Sequence, residues 1–418
     1  MRSGRSRVPI RPIPEACRER RAGTVAAVSI DVIRSAARLE ALAPEWDRLA
    51  DGLRRPLLRH DWFASCIGTL HDPGDLTIVV VRDGDRVTGI APLVRAGRGA
   101  ATRHELIGVS SLHEPSGFLY ESAEARDRLL AAVLALGTPL SLHRLEASSD
   151  TAAALRAVVG RRGLVVVRGT RPSLAVPVRG PWADYERGLS SRITGNLPRL
   201  RKRAARLGPV RVDVHRPSVA DVGSRFATVV AVEGSGWKGE LGSALRCRPG
   251  LGAFFEAYVH RAARGGDLRI ATLHFGDRIA AVEMAIEAYD RWWQLKIGYE
   301  SALASYYPGL LLTYAMVRRA FERGLAAYEF LGSAAEWEER WLPERRAFEM
   351  CVVYPATISG GCGLLADALA VGRERWQRVA RRPVSQAGKA ALGSRVPARA
   401  VSTTSAAGRD AGVVAGDA

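Results

Sequence analysis

The residues best suited to chemistry lie in a strand–loop–helix segment in the second half of the chain. A strand-like apolar run ends at Gly298 and Tyr299, and Pro308 and Gly309 follow at the predicted start of an amphipathic helix. The first N–H groups of a helix have no partner within it, and together with the helix dipole they favour an anion such as phosphate. Glycine also lets a ligand approach the backbone closely. The segment therefore predicts that a phosphorylated donor is held at this junction.

Three side chains on or near this segment are candidates for proton transfer, and we predict a catalytic role for each. Glu283 lies among apolar residues, and a position facing a cleft would raise its pKa toward the range of a general base. Lys296 interrupts the next apolar strand, and Tyr299 is a candidate acid for a leaving group. The alternative is that Glu283 and Lys296 are solvated strand residues.

Two further segments supply candidate substrate-binding residues. Glu233, Trp237 and Lys238 lie in a glycine-rich loop between predicted helices, and loop aromatic and charged side chains often serve binding. The alternative is a loop anchored by its tryptophan. Trp337, in the acidic segment 336–341, is the fourth predicted substrate contact.

The charge of the chain does not require a nucleic acid partner. Half of the net charge of +18 lies in the two ends: residues 1–22 carry seven Arg against two Glu, and residues 381–418 carry five Arg and one Lys against two Asp. Both ends are predicted to be disordered tails. The remaining charge suits an anionic ligand, and tRNA stays an alternative because residues 192–206 form a predicted basic helix.

The composition of the chain argues against a membrane-spanning, a secreted and a metal-binding protein. No apolar run approaches the roughly 18 residues of a membrane span, and the Arg-rich N-terminus lacks the apolar stretch of a secretory signal. The five cysteines are scattered without a Cys-x-x-Cys pair, which favours the cytoplasm. The histidines have no ligand-like spacing, so we predict no metal. The sequence leaves the oligomeric state open.

An internal repeat predicts two similar domains. Residues 76–90 and 268–282 share a pattern of two apolar strands around a Gly-Asp turn, which is typical of a hairpin, at an offset of 192 residues. The same offset places Gly117 on Gly309. We therefore expect a degenerate N-terminal domain at 23–172 and a functional domain at 173–380. Only the second should hold a donor, because Glu114 would repel phosphate in the first.

The predicted elements around the junction follow from hydrophobic periodicity and punctuation by glycine and proline. They include a helix closed by Gly324 and several short strands. The predictions are strands at 163–168, 173–178, 291–300, 326–331 and 346–354, and helices at 309–323 and 335–341.

This order of elements resembles the GNAT acyltransferases, and residues 180–355 are similar to the CelD-type, BioF-like branch, itself similar to the FemAB aminoacyl transferases. The resemblance is carried by these motifs: Glu233-Gly-Ser-Gly-Trp237-Lys238-Gly239, Leu295-Lys296-Ile297-Gly298-Tyr299, Tyr306-Tyr307-Pro308-Gly309-Leu310-Leu311, Ala320-Phe-Glu-Arg-Gly324 and Tyr328-Glu-Phe330-Leu-Gly332. It implies an α/β (α+β) fold of two tandem GNAT-like domains, each a mixed, mostly antiparallel sheet flanked by helices. The acidic segment 336–341 departs from the family, which often has a lysine there.

The resemblance also implies a function. An acyl-CoA, with acetyl-CoA as the first choice, would donate to an amine or hydroxyl of a small molecule or saccharide, in cell-envelope or exopolysaccharide metabolism. The predicted donor-binding residues are Ile297, Gly298, Tyr307, Pro308, Gly309, Leu310 and Leu311. The alternatives are a FemAB-like transferase that uses aminoacyl-tRNA and a non-catalytic binding protein with the same fold.

Overall fold

The computed structural model describes residues 28–159, 162–236, 242 and 244–380. The two predicted tails, 1–22 and 381–418, lie outside the described residues, as do Trp237 and Lys238. The described residues up to Ala368 belong to one compact unit, and the helix end from Leu369 to Ala380 belongs to a second. No helix in the described part of the chain is long and apolar enough to span a bilayer.

The described residues form thirteen strands and thirteen α-helices. The strands are β1 (Val28–Ile33), β2 (Leu76–Asp83), β3 (Arg86–Ala96), β4 (Arg103–Leu106), β5 (Leu119–Tyr120), β6 (Leu140–Glu146), β7 (Gly163–Pro177), β8 (Val210–His215), β9 (Leu268–Phe275), β10 (Arg278–Ala288), β11 (Arg291–Tyr299), β12 (Ala327–Glu329) and β13 (Glu344–Pro355). The helices are α1 (Ala36–Ala41), α2 (Ala43–Leu53), α3 (His60–Cys66), α4 (Val109–Leu112), α5 (Ala123–Ala135), α6 (Asp150–Val159), α7 (Trp182–Gly188), α8 (Ser191–Thr194), α9 (Leu197–Ala204), α10 (Val222–Ser235), α11 (Pro249–Gly265), α12 (Pro308–Glu322) and α13 (Ile358–Ala380).

One mixed sheet runs through both halves of the chain, in the order β1-β2-β3-β4-β6-β13-β7-β12-β11-β10-β9-β8, with β5 paired to β3. The pairing is the same in each half. β1 to β4 are successively antiparallel and β4 is parallel to β6, while β8 to β11 are successively antiparallel and β11 is parallel to β12. The predicted hairpins, β2–β3 and β9–β10, thus occupy matching places, and the predicted fold class is confirmed. Gly84 and Gly276 at their turns both have positive φ, which explains the shared Gly-Asp signal.

The sheet differs from the prediction where the halves meet. The two strands predicted at 163–168 and 173–178 are one strand, β7, because β13 pairs with it from Gly163 to Ala175. β13 also pairs with β6, so the last of the described strands lies between the two halves. The predicted domain boundary at 172/173 therefore falls within β7.

Three other local predictions differ from the structure. The helix expected at 335–341 is a 3-10 turn, Glu339–Trp341. Gly117 precedes the short strand β5 and not a helix, so it does not match Gly309. Helix α13 was not predicted, although two of its leucines are spaced by one helical turn. Its first turns contain three glycines and a cysteine, and these residues weaken the helix signal.

Helices cover both faces of the sheet and fix the position of the second hairpin. On one face Trp62 of α3 packs edge-on against Phe254 and Tyr258 of α11, with ring centroids 4.9 and 4.8 Å apart, so the two halves share a hydrophobic core. On the other face α12 buries Leu312, Met316 and Ala320, which are spaced by one helical turn, against β9 to β12. The start of α12 is thereby held beside the ends of β11 and β12.

Candidate active site

A wedge opens in the sheet between β11 and β12. The two strands pair in parallel only at residues 291–293 with 327–329. β11 continues for six more residues to Tyr299, while the chain after β12 turns away through Leu331 and Gly332, both at positive φ. The strands therefore diverge, and their separation leaves room for an extended ligand between them.

A cavity of about 710 Å³ occupies this wedge. That volume lies in the range of pockets for drug-sized ligands. Ten of the fourteen predicted site residues line it: Glu233, Lys296, Ile297, Gly298, Tyr299, Tyr307, Pro308, Gly309, Leu310 and Trp337. Segments far apart in the sequence are thus brought together around one space.

The start of α12 forms part of the cavity wall and offers free donors. The N-cap residue Tyr307 gives no side-chain cap, and Pro308 has no N–H to satisfy. The N–H of Leu311 donates to the carbonyl of Tyr307 (3.1 Å), which is the first helical hydrogen bond. The N–H groups of Gly309 and Leu310 have no partner among the described residues. Leu311, predicted to bind the donor, is instead buried in the helix packing and does not line the cavity.

The corresponding helix of the first half begins with a side-chain cap. Along the chain, α5 lies between the parallel strands β4 and β6, as α12 lies between the parallel strands β11 and β12. Its N-cap residue Ser122 accepts a hydrogen bond from the N–H of Ala125 (3.1 Å) through its side chain. Glu114, expected to repel phosphate within the first half, instead lines the cavity of the second half. The two halves thus differ in their helix caps and not in a repelling carboxylate.

A close approach of α10 to β11 explains why Gly298 is a glycine. A Cβ atom at Gly298 would lie 2.5 Å from Cα of Glu233, in the last turn of α10. The side chain of Ser235 donates to the carbonyl of Tyr299 (3.4 Å), so the helix end rests on the strand end. Glu233 is buried there and accepts a hydrogen bond from the N–H of Leu245 (2.9 Å).

We expect Gly298→Ala to lower the free energy of unfolding by about 1–3 kcal/mol, because a backbone atom must move to admit the methyl group. Urea denaturation measures this. The matched control is Gly89→Ala, another strand glycine whose Cβ would meet its neighbours at 3.5 Å or more. Equal stability of the two variants would show that α10 does not hold the end of β11.

Glu283 lies in the protein interior and not in the cavity wall. It is fully buried, and its Oε1 accepts hydrogen bonds from Trp292 Nε1 (2.6 Å) and the Tyr328 hydroxyl (2.9 Å). Burial raises the pKa of Glu283 to about 7, although these hydrogen bonds oppose the shift. Gln294, which does line the cavity, donates to the same Tyr328 hydroxyl (2.8 Å). Glu283 can therefore influence a bound ligand only through such neighbours, as a positioning residue.

Two carboxyl groups that were not predicted do line the cavity. Glu114, which precedes β5, accepts a hydrogen bond from the N–H of Gly332 (2.7 Å), and Glu338 accepts one from the N–H of Ala335 (3.1 Å). Both are buried, and burial raises both pKa values, that of Glu338 to about 7. The acidic segment 336–341 was a signal for Glu338, whereas no local pattern could place Glu114 in the other half's cavity.

Other cavity residues also escaped sequence reasoning, and Gln294, Thr313 and Trp341 are three of them. Each reads locally as part of an ordinary strand or helix face. Within the described residues, no group of three or more His, Cys, Asp or Glu side chains is arranged to hold a metal ion.

Comparison with known proteins identifies the segment that forms this wedge. Residues 191–339 match the family model described as an acetyltransferase (GNAT) domain. This range runs from α8 to the loop after β12, so it contains the wedge and the start of α12. No curated protein sequence matches the chain.

Solved structures resemble the chain at low sequence identity. FemX is 13% identical over 74% of this chain and 95% of its own, with a TM-score of 0.51. L-PGS from Bacillus licheniformis is 12% identical over 74% of this chain and 90% of its own (TM-score 0.48), and a tandem GNAT protein from the clavulanic acid biosynthesis pathway is 13% identical over 79% and 99% (TM-score 0.42). At 13% identity the likeness to FemX concerns the fold alone. The resemblance to the GNAT and FemAB-type folds is confirmed.

Proposed function

We propose that the protein is an acyltransferase that uses an acyl-CoA donor, with acetyl-CoA as the first candidate, because residues 191–339 match the model of an acetyltransferase (GNAT) domain. The acceptor would be an amine or hydroxyl group on a small molecule or saccharide. A place in cell-envelope or exopolysaccharide metabolism rests on the CelD-type resemblance.

The observation that carries the proposal is the junction of the wedge with an uncapped helix. The two free N–H groups of Gly309 and Leu310 and the dipole of a 15-residue helix suit a pyrophosphate. The diverging strands β11 and β12 suit an extended arm that reaches from the phosphates into the protein. A CoA thioester combines these two features in one molecule.

Direct transfer needs few protein groups. The acceptor must be held against the thioester carbonyl, a base must take its proton, and donors must stabilise the oxyanion. Residues 297–299, which line the cavity beside the helix start, are the proposed backbone wall for the donor. Tyr299 lies against this start, since a Cβ at Gly309 would be 3.5 Å from its ring. This position supports the proposal that Tyr299 gives a proton to the leaving thiolate.

Calorimetric titration with acetyl-CoA tests the donor. We expect one binding site per chain. Release of free thiol when an acceptor is added would distinguish a transferase from a binding protein that holds acetyl-CoA without turnover. The absence of any binding heat with acetyl-CoA would contradict the acyl-CoA proposal.

A second candidate is transfer from aminoacyl-tRNA, and the position of α9 favours it. The basic side chains of α9 are exposed, while Leu197 and Leu200 are buried. Arg203 donates to the carbonyl of Ser305 (3.3 Å) and lies over the ring of Tyr306 at 4.8 Å, in the loop that leads to α12. A basic surface therefore adjoins the donor loop, as a polyanion larger than CoA would require.

We expect the triple variant Arg199→Gln, Arg201→Gln, Lys202→Gln to bind acetyl-CoA within about twofold of the unmodified protein, because none of the three lines the cavity. The same variant separates the two candidates in a gel-shift assay with charged tRNA. A salt-sensitive shift that disappears in the variant, together with no acetyl-CoA binding, would favour the tRNA-dependent reaction.

A further inference from the structure

A second cavity, of about 360 Å³, lies at the β8 edge of the sheet, on the face that α12 covers. Three valines at alternate positions of β8 line it: Val210, Val212 and Val214. They pack against the same hydrophobic cluster as α9 and α12, yet all three remain only partly buried. We call this space the β8 groove. None of its lining residues belongs to the wedge between β11 and β12.

The lining of the β8 groove is largely apolar. Besides the three valines it includes Leu273 of β9 and Met316 of α12, which are buried, and the half-buried Ala315. Apolar surface of this kind favours an apolar occupant, because contact with that occupant removes it from water. The volume is at the lower end of the range for small-molecule pockets, so a short chain suits the groove and a folded partner does not.

The charged residues of the same lining are mainly positive. They are Arg201 of α9 and Arg318, Arg319 and Glu322 of α12. Arg318 pairs with Glu322 at 2.7 Å, and Glu322 is the only acidic residue of the lining. Neither Arg201 nor Arg319 has an acidic partner among the described residues. The groove therefore presents two positive charges that the protein itself does not neutralise.

Arg319 also has a buried donor that lacks an acceptor. Its Nε atom is shielded from solvent and has no hydrogen-bond partner among the described residues. The hydroxyl of Tyr314, the only hydroxyl of the lining, donates to Glu186 instead. Buried donors are nearly always satisfied, and a charged one is costly to leave without an acceptor. The planar guanidinium matches a carboxylate best, because two parallel hydrogen bonds can form.

We propose that the β8 groove binds a dissolved medium-chain aliphatic carboxylate. Its chain would lie on the valines of β8, and its carboxylate would pair with Arg319 and Arg201. The unneutralised arginines select an anion, and the apolar lining selects a chain over a compact anion such as acetate. This site is separate from the proposed acyl-CoA site and does not depend on it, and its ligand carries no thioester to transfer.

The test compares octanoate with octanol, which has the same chain length without the charge, and with acetate, which has the charge without the chain. Calorimetric titration of the full-length protein measures the three affinities. We expect octanoate to bind about tenfold or more tightly than either of the others. Octanoate should also raise the melting temperature, because it binds the folded state and not the unfolded one.

Arg319→Gln should weaken octanoate binding by about tenfold or more and leave octanol binding unchanged. Without ligand this variant should be at least as stable as the unmodified protein, because the Nε that it removes has no partner, whereas the loss of a structural arginine would lower stability. The control is Arg206→Gln, at an exposed arginine after α9 that does not line the groove; it should bind octanoate normally. A second variant, Ala315→Leu, narrows the groove without changing a charge and should also weaken octanoate binding.

Octanoate binding that matches that of octanol or acetate, or that persists in Arg319→Gln and Ala315→Leu, would overturn the inference. Displacement of octanoate by saturating acetyl-CoA would also overturn it, because the chain would then occupy the wedge. So would binding to phosphatidylglycerol vesicles without binding of dissolved octanoate. Failure of acetyl-CoA itself to bind would contradict the proposed function and not the β8 groove.

Discussion

Donor affinity should fall tenfold or more in Gly309→Val, a loss of at least about 1.4 kcal/mol of binding free energy. A Cβ atom at position 309 would meet only a Tyr299 ring carbon, at 3.5 Å, so the backbone can accept a side chain there. The two branches of valine would extend beyond that atom, over the N–H groups of Gly309 and Leu310 that we propose for the pyrophosphate. The fold should persist while the anion loses close access to the helix start.

Calorimetric titration of the variant with acetyl-CoA measures this effect. Gly52→Val is the matched control, because Gly52 is an exposed helical glycine with open space around its Cβ position. The melting temperatures of Gly52→Val and Gly309→Val should be similar. The affinity of Gly52→Val for acetyl-CoA should match that of the unmodified protein. A folded Gly309→Val protein that binds acetyl-CoA normally would show that the donor lies elsewhere.

The second large effect concerns Glu283 and the pH dependence of stability. Its pKa is about 7 in the folded protein against 4.5 for an ordinary glutamate. Between these values the folded state keeps a proton that the unfolded state has lost, so the free energy of unfolding falls as pH rises through this window. At about 1.4 kcal/mol for each pKa unit, the contribution lost is on the order of 3 kcal/mol.

Glu283→Gln should remove this dependence. The amide oxygen can still accept the hydrogen bonds of Trp292 and Tyr328, but the side chain has no proton to lose. Urea denaturation of both proteins at pH 5 and pH 8 gives the comparison. Glu338 and Glu114 titrate in both proteins and cancel in the difference. Parallel stability curves for the two proteins would mean that Glu283 stays charged or is hydrated in the interior.

Local signals predicted the strand–loop–helix junction at the start of α12 well. Pro308 and Gly309 start α12, Gly324 follows its end at positive φ, and the two Gly-Asp turns close matching hairpins. Each of these depends on a backbone requirement that only a few residue types satisfy, so the sequence records it within a few positions.

The cavity wall that contains Glu114 could not be predicted in the same way. Glu114 reaches the cavity through the pairing of distant strands, and β13 lies between β6 and β7 although it is the last of the described strands. The irregular register between Met284 and Ala285 decides which β11 side chains share a face with Glu283. A shift of one residue reverses the faces of a strand, and spacing alone does not reveal where such a bulge occurs.

The most direct test of the central claim is amide hydrogen exchange with and without acetyl-CoA. A donor held in the wedge should slow exchange at residues 294–299 of β11, at Tyr307, Gly309 and Leu310 around the start of α12, and in the loop at 330–333, all of which line the cavity. The start of α5, which Ser122 caps in the first half, should be unaffected. Protection confined to other segments, or none at a saturating concentration, would contradict an acyl-CoA site between β11 and β12.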